Sequence, residues 1–271
     1  MEKAIKNTSY PRTRYSIKKQ LVELGLEKGM TVLVHSSLSS MGWVNGGEVA
    51  VIQALQDVIT IEGTIVMPSQ SVVLSDPEEW EYPPVPQDWW EEIKCTMPAY
   101  DARITPTTGM GKIVEVFRMF PGVIRSSHPA YSFIGWGKDS KRIIKNQSLS
   151  YSLGENSPLA QLYDQEDAYI LMLGTGFDSC TGFHLAEYRI PYKNVIQKGA
   201  PVYEGGERVW KTYKDLEFRE ELFKKIGEDF KEKTQFSKEG NVGSASSTLI
   251  PFRQAVDFAQ TWLTTYDEMF Y

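Results

Sequence analysis

Apolar residues fall into short runs of four or five, interleaved with stretches where they recur every three or four positions. That alternation of period and length predicts strands alternating with amphipathic helices. Ile17, Leu21 and Leu24 mark a helix over 16–28 that ends near Gly29. Thr31-Val-Leu-Val34 predicts a short strand, 48–60 a helix, and Thr64-Ile-Val-Met67 a second buried strand closed by Pro68. Residues 16–67 therefore read as helix, strand, loop, helix, strand, a unit with a parallel crossover. Farther on, helices are expected over 109–120 and 159–164, with an apolar run at 132–136 and a Lys/Arg-bearing helix after it. Gly205-Gly206 predicts the turn of a hairpin over 201–210. Two amphipathic helices, 216–235 and 253–266, end the chain. No internal repeat or linker divides the 271 residues, so one domain over 1–271 is expected.

Residues 168–189, AYILMLGTGFDSCTGFHLAEYR, carry the strongest chemical signal. Tyr169-Ile-Leu-Met-Leu173 predicts a buried strand, Gly174-Thr-Gly176 stops it, and 181–189 reads as a helix. Thr181, His184 and Glu187 are spaced by three, so on a helix they share one face. Ligands of α/β proteins sit beyond the carboxyl ends of strands, where this helix would begin.

The loop at 35–47, HSSLSSMGWVNGG, also joins a strand end to a helix start. Free N–H groups and the dipole at such a helix start favour an anionic or carbonyl-rich ligand. Ser36, Ser37, Ser39 and Ser40 add hydroxyls. Turn and cap duty accounts for the same residues about equally well.

Composition narrows the class. With 41% hydrophobic and 24% charged residues the chain is expected to be a globular enzyme rather than disordered. No apolar run approaches a membrane span of ~20 residues, and the N-terminus lacks the apolar region of a secretory signal. Cys95 and Cys180 make no disulfide framework, so a cytoplasmic location is expected. The net charge of −6 argues against nucleic acid. More than all of it lies in 71–93, which holds seven acids and no Lys or Arg and leaves +1 for the rest, together with Trp80, Tyr82, Trp89 and Trp90. Four prolines there make a long helix improbable before Trp89, and the segment reads as a flap beside a site that would attract a cation.

Some chemistries are weak on these residues. No HExxH motif or Cys–His cluster is present, so no metal is expected. Gly174-Thr-Gly176 lacks the third glycine and distal acid of a dinucleotide fingerprint, and Gly111-Lys112 is not a phosphate loop. Cys180, four residues before His184, is a conceivable nucleophile.

Five stretches together make a family resemblance: VHSSLSSMGWVNGG with the following EGTIVMP, ITPTTGMGKIVEVFR, RSSHPAYSFIGWG, SLGENSPL and LMLGTGFDSCTGFHLAEYR. In order and spacing they resemble the aminoglycoside 3-N-acetyltransferase family, over most of the chain. The resemblance, taken with the crossover unit, implies a single-domain α/β/α sandwich with a mixed, largely parallel central sheet. It implies transfer of the acetyl group of acetyl-coenzyme A, as co-substrate, to the 3-amino group of the deoxystreptamine ring of an aminoglycoside. His184 matches the catalytic histidine, with Glu187 or Asp178 as the carboxylate that orients it. His35, Ser36, Ser37, Leu38, Ser39 and Gly42 would hold the cofactor's pantetheine arm. Asp76, Glu79, Trp80, Thr181 and Glu187 would face the amine, with a homodimer as a candidate assembly. Three rivals stand beside this reading: an acyltransferase of a non-antibiotic amine, a ping-pong enzyme using Cys180, and a non-catalytic binder of coenzyme A or polycations.

Overall fold

A computed structural model describes residues 5–6, 8–81 and 83–270. Tyr82, counted among the aromatics of the acidic segment, lies outside the described residues. Chain order is α1 (Arg14–Leu24), β1 (Thr31–Ser36), α2 (Gly47–Ile59), β2 (Thr64–Pro68), α3 (Trp90–Thr96), α4 (Gly111–Phe117), β3 (Ile124–Arg125), β4 (Phe133–Gly137) and α5 (Ser140–Ile144). It continues with α6 (Pro158–Tyr163), β5 (Ala168–Leu173), α7 (His184–Arg189), β6 (Val195–Glu204), β7 (Glu207–Leu216), α8 (Phe223–Lys233), β8 (Lys238–Val242), β9 (Ala245–Pro251) and α9 (Phe252–Glu268). No helix among the described residues is long and apolar enough to cross a membrane.

Seven strands form one sheet in the order β3-β4-β2-β1-β5-β9-β8, and β6 and β7 pair separately. The sheet is mixed, as expected, but it is not largely parallel. Only β2–β1 and β1–β5 pair parallel, while β4, β3, β9 and β8 add antiparallel flanks. Parallel neighbours need a long crossover. α2 supplies one between β1 and β2, whereas short connections join only the outer antiparallel pairs β3–β4 and β8–β9.

Strand side chains alternate between two faces. Val32, Val34, Leu171 and Leu173 face α1, α2 and α4, whereas Leu33, Ile170 and Met172 face α6–α9. The sandwich therefore has a helical layer, and an apolar core, on each side of the sheet. α2 buries Val51, Ile52, Leu55, Val58 and Ile59. At ~25 cal/mol per Å² such a stripe, rather than helix propensity, fixes the helix in place.

Several boundaries move. The hairpin expected at 201–210 runs over β6 and β7, with Gly205 and Gly206 both at positive φ in its turn as anticipated. The helix expected from 216 starts at Phe223, because Asp215 and Leu216 finish β7. In 71–93 the prolines do confine structure to short 3₁₀ turns until α3 opens at Trp90. The β8–β9 pair has no counterpart in the sequence reading. Its Lys-Glu-Gly-Asn-Val edge strand is exposed at four of five positions and shows no apolar alternation.

Candidate active site

β1 and β5 run side by side and end together, Ser36 opposite Leu173. Each then opens into a loop, and glycine brings the two loops into contact. Gly174 sits at φ +74°, and a Cβ there would stand 2.9 Å from both Ser40 Cβ and Ala245 Cβ. Only a residue without a side chain lets the serine turn (a 3₁₀ turn at Leu38–Met41) close on the end of β5. The N–H of Ser37 donates to the Leu173 carbonyl at 2.9 Å and pins it there. Beyond Gly174, two more 3₁₀ turns, Phe177–Ser179 and Thr181–Phe183, lead directly into α7.

His184, the first residue of α7, is 2% exposed. Its ring lies between Phe218 and Phe223, with centroids 4.3 and 4.9 Å away. Nδ1–H donates to Glu187 Oε2 at 2.7 Å, the one-turn contact expected from the spacing. Glu187 Oε1 accepts the backbone N–H of Arg219 at 2.7 Å, so both of its oxygens are committed. The carboxylate on Nδ1 is therefore Glu187. Asp178 is exposed and stands on the cavity wall with no hydrogen bond to the ring.

Glu220, which sequence reasoning did not pick out, places Oε1 3.2 Å from His184 Nε2. It lies beyond the hairpin in a polar run, and no spacing ties it to His184. Burial is the largest influence on the imidazole and pushes its pKa down. The hydrogen bonds to Glu187 and then Glu220 outweigh burial and raise it to about 9. The same contact with His184 holds the Glu220 carboxyl below the usual carboxylate range.

A cavity of about 250 Å³ joins His35 and Ser36 at the end of β1 to Thr175, Asp178, Thr181, His184 and Glu220. His35 Nε2, Ser36 Oγ and Thr175 Oγ1 are buried without a hydrogen-bond partner among the described residues. Unpartnered buried polar atoms are costly, and three on one wall suit a ligand rich in amides and carbonyls. Burial, then nearby His184, push the His35 imidazole down to about 3, so it is neutral.

The other predicted cofactor residues lie just outside this wall. Ser37, Ser39 and Ser40 bond one another through their hydroxyls. Leu38 packs against the apolar core, and Gly42 turns at φ +82° against Thr8 and Ser244. Of the expected acceptor-side residues, Thr181 and Glu187 sit at His184, whereas Asp76, Glu79 and Trp80 do not line the cavity. Asp76 pairs with Lys94 at 2.9 Å, Glu79 with Lys198 at 2.9 Å, and Trp80 Nε1–H donates to Ser75 Oγ.

The remaining histidine and the buried cysteine have structural surroundings. His128 Nδ1 accepts two backbone N–H groups and Nε2 meets the Leu149 carbonyl, while burial lowers its pKa to about 4. Cys180 is fully buried, and burial pushes its thiol up to about 12, the reverse of what a thiolate nucleophile needs.

Residues 33–264 match the family model described as aminoglycoside 3-N-acetyltransferase. The chain is 59% identical over 268 residues, 98% of each chain, to the SPbeta prophage-derived aminoglycoside N(3')-acetyltransferase-like protein YokD of Bacillus subtilis (strain 168). The crystal structure of YokD superposes with a TM-score of 0.97 at 58% identity, covering 99% of each chain. AAC-VIa bound to sisomicin superposes at 0.85 with 28% identity, over 95% of this chain and 99% of that one. AAC-IIIb in binary complex with CoASH superposes at 0.84 with 26% identity, over 95% and 98%.

Proposed function

The chain belongs to the aminoglycoside 3-N-acetyltransferase family, and from that premise we propose that His184 is the base that deprotonates an acceptor amine attacking acetyl-coenzyme A. One observation carries the reading: the cavity in which His184 meets the end of β1 and its unpartnered polar atoms. Coenzyme A in the related AAC-IIIb complex and sisomicin in that of AAC-VIa support the choice of the two substrates.

An ammonium has no lone pair and must lose a proton before it attacks a carbonyl. Neutral His184 takes that proton on Nε2, while Glu187 on Nδ1 fixes the tautomer and balances the imidazolium formed. The nitrogen–carbon bond forms, and the thioester oxygen becomes an oxyanion that His35 Nε2–H, Ser36 Oγ or Thr175 Oγ1 is suited to meet. Collapse breaks the carbon–sulfur bond, His184 returns its proton to the departing thiolate, and the acylated nitrogen sheds its remaining extra proton to water to leave the neutral amide. The acid-rich 71–93 segment adds a long-range field that favours arrival of a polycation. The founding test is thiol release from acetyl-coenzyme A against sisomicin, gentamicin and spermidine. Turnover of spermidine but not of the antibiotics would select a non-antibiotic acceptor, and no release with any amine would overturn the reading.

Two outcomes follow from the electrostatics. A base must be neutral, and the resting pKa of His184 is about 9 rather than 6.5, so kcat/KM is expected to rise with pH until near 9. A profile already flat above pH 7 would contradict this. Acetyl-coenzyme A alone is expected to leave Cys180 unmodified by intact-protein mass spectrometry, because its thiol stays protonated and out of reach. An acetyl adduct there would establish the ping-pong route instead.

A further inference from the structure

We propose that Glu220 is the receptor for a second ammonium group of the acceptor, and that its transfer to that cation frees His184 Nε2 for the amine being acetylated. The inference rests on His184 being the base and adds what selects its substrate. With Nδ1 taken by Glu187, Nε2 is the ring nitrogen left for the acceptor. In the resting protein that atom is held by Glu220 Oε1 at 3.2 Å. An acceptor amine cannot reach Nε2 unless this contact opens.

The surroundings make Glu220 free to open it. Its side chain is 59% exposed, against 2% for His184, so it can turn towards a ligand while the ring cannot. The backbone beneath it is fixed. The Arg219 N–H is bonded to Glu187, and the Arg219 guanidinium is paired with buried Asp267 at 2.6 Å. The carboxylate thus pivots on a rigid turn.

Charge decides the kind of partner. The ionisable groups around His184 are Glu187 on its own helix, Arg219 and Glu220 on the turn, His35 on β1 and Asp178 after β5. Lys198 of β6 faces Glu220 but is paired with Glu79. His35 is neutral, Arg219 belongs to Asp267, and so Glu220 has no cation but His184 to itself among the described residues. Once His184 becomes neutral, an uncompensated carboxylate stands on the cavity wall beside the reacting nitrogen. A ligand with two ammonium groups on one ring satisfies both positions, one amine at Nε2 and its neighbour on Glu220. As the second ammonium draws Glu220 away, His184 loses a support for its proton and releases it to water, becoming competent to take the next from the substrate.

The test is Glu220→Gln, which keeps the shape and removes the charge, with Glu221→Gln on the exposed neighbouring residue as control. Calorimetry of sisomicin binding to the coenzyme A complex is expected to show about ten- to a hundredfold weaker affinity in E220Q, the worth of one charged hydrogen bond. Coenzyme A affinity should be unchanged, and E221Q should match the parent in both. With sisomicin as acceptor, the rising limb of kcat/KM should move to lower pH in E220Q. Cyclohexylamine, a monoamine, should bind E220Q and the parent equally. Unchanged sisomicin affinity, or an equal loss for the monoamine, would overturn the inference. If the parent releases no thiol with any amine, the catalytic reading falls, yet the calorimetric comparison still decides whether Glu220 receives a cation.

Discussion

Replacing His184 by Ala is expected to lower kcat by about 10²–10⁴ while leaving coenzyme A affinity intact. That range is what a positioned base typically supplies. The remainder of catalysis, holding amine and thioester together, survives the change. Coenzyme A affinity should persist because the polar atoms suited to the cofactor, His35 Nε2, Ser36 Oγ and Thr175 Oγ1, belong to the ends of β1 and β5 rather than to α7. Fold loss is a separate risk, since Ala leaves the buried Glu187 without its ring partner. His184→Gln, which can still donate to Glu187, should retain more stability than Ala with the same loss of turnover. Thiol-release kinetics and melting curves on both variants separate the two effects. Turnover within a few-fold of the parent in either variant would remove His184 from the chemistry.

Gly227→Ala is expected to be strongly destabilising, although Ala is the better helix former. Propensity favours Ala by about 1 kcal/mol in a helix interior. Against that, a Cβ at Gly227 of α8 would lie 2.0 Å from Phe177 Cγ and 2.4 Å from its Cβ. Phe177 cannot swing aside, because it is buried and stacked on Phe183 at 6.0 Å, and Phe183 meets Phe223 edge-on at 5.6 Å. Overpacking of this kind costs about 1–3 kcal/mol or more, which outweighs propensity and lowers Tm by several degrees. Since Phe223 also packs on the His184 ring, turnover should fall too. Gly240→Ala, where a new Cβ meets only Leu24 Cδ1 at 3.4 Å, is the comparison, and differential scanning calorimetry the measurement. Equal Tm values in the two variants would refute the packing account.

What could be read from the chain divides along a physical line. Local patterns carried through: the apolar runs at β1, β2 and β5, the stripe of α2, the Gly205-Gly206 turn, and the i,i+3 pairing of His184 with Glu187 are each set by residues a few positions apart. Long-range features did not. Glu220 reaches His184 only because the β6–β7 hairpin returns the chain to α7, where Tyr188 Oη donates to buried Asp215. The direction of the flanking strands, and the very presence of β8, depend on backbone pairing that side-chain alternation does not announce. The acids at 76 and 79 were legible as charge, but not that Lys94 and Lys198 would claim them.

The position of β9 bears on how the protein is made. β5 lies between β1, synthesised before it, and β9, synthesised well after it. Until β9 emerges, the nascent chain holds β5 with a whole row of N–H and C=O groups unpaired on one side, in a strand of almost entirely apolar residues. Such an open edge is an invitation to pair with a neighbouring polysome product. Translation that stops short of residue 245 should therefore yield inclusion bodies rather than a soluble, merely inactive fragment.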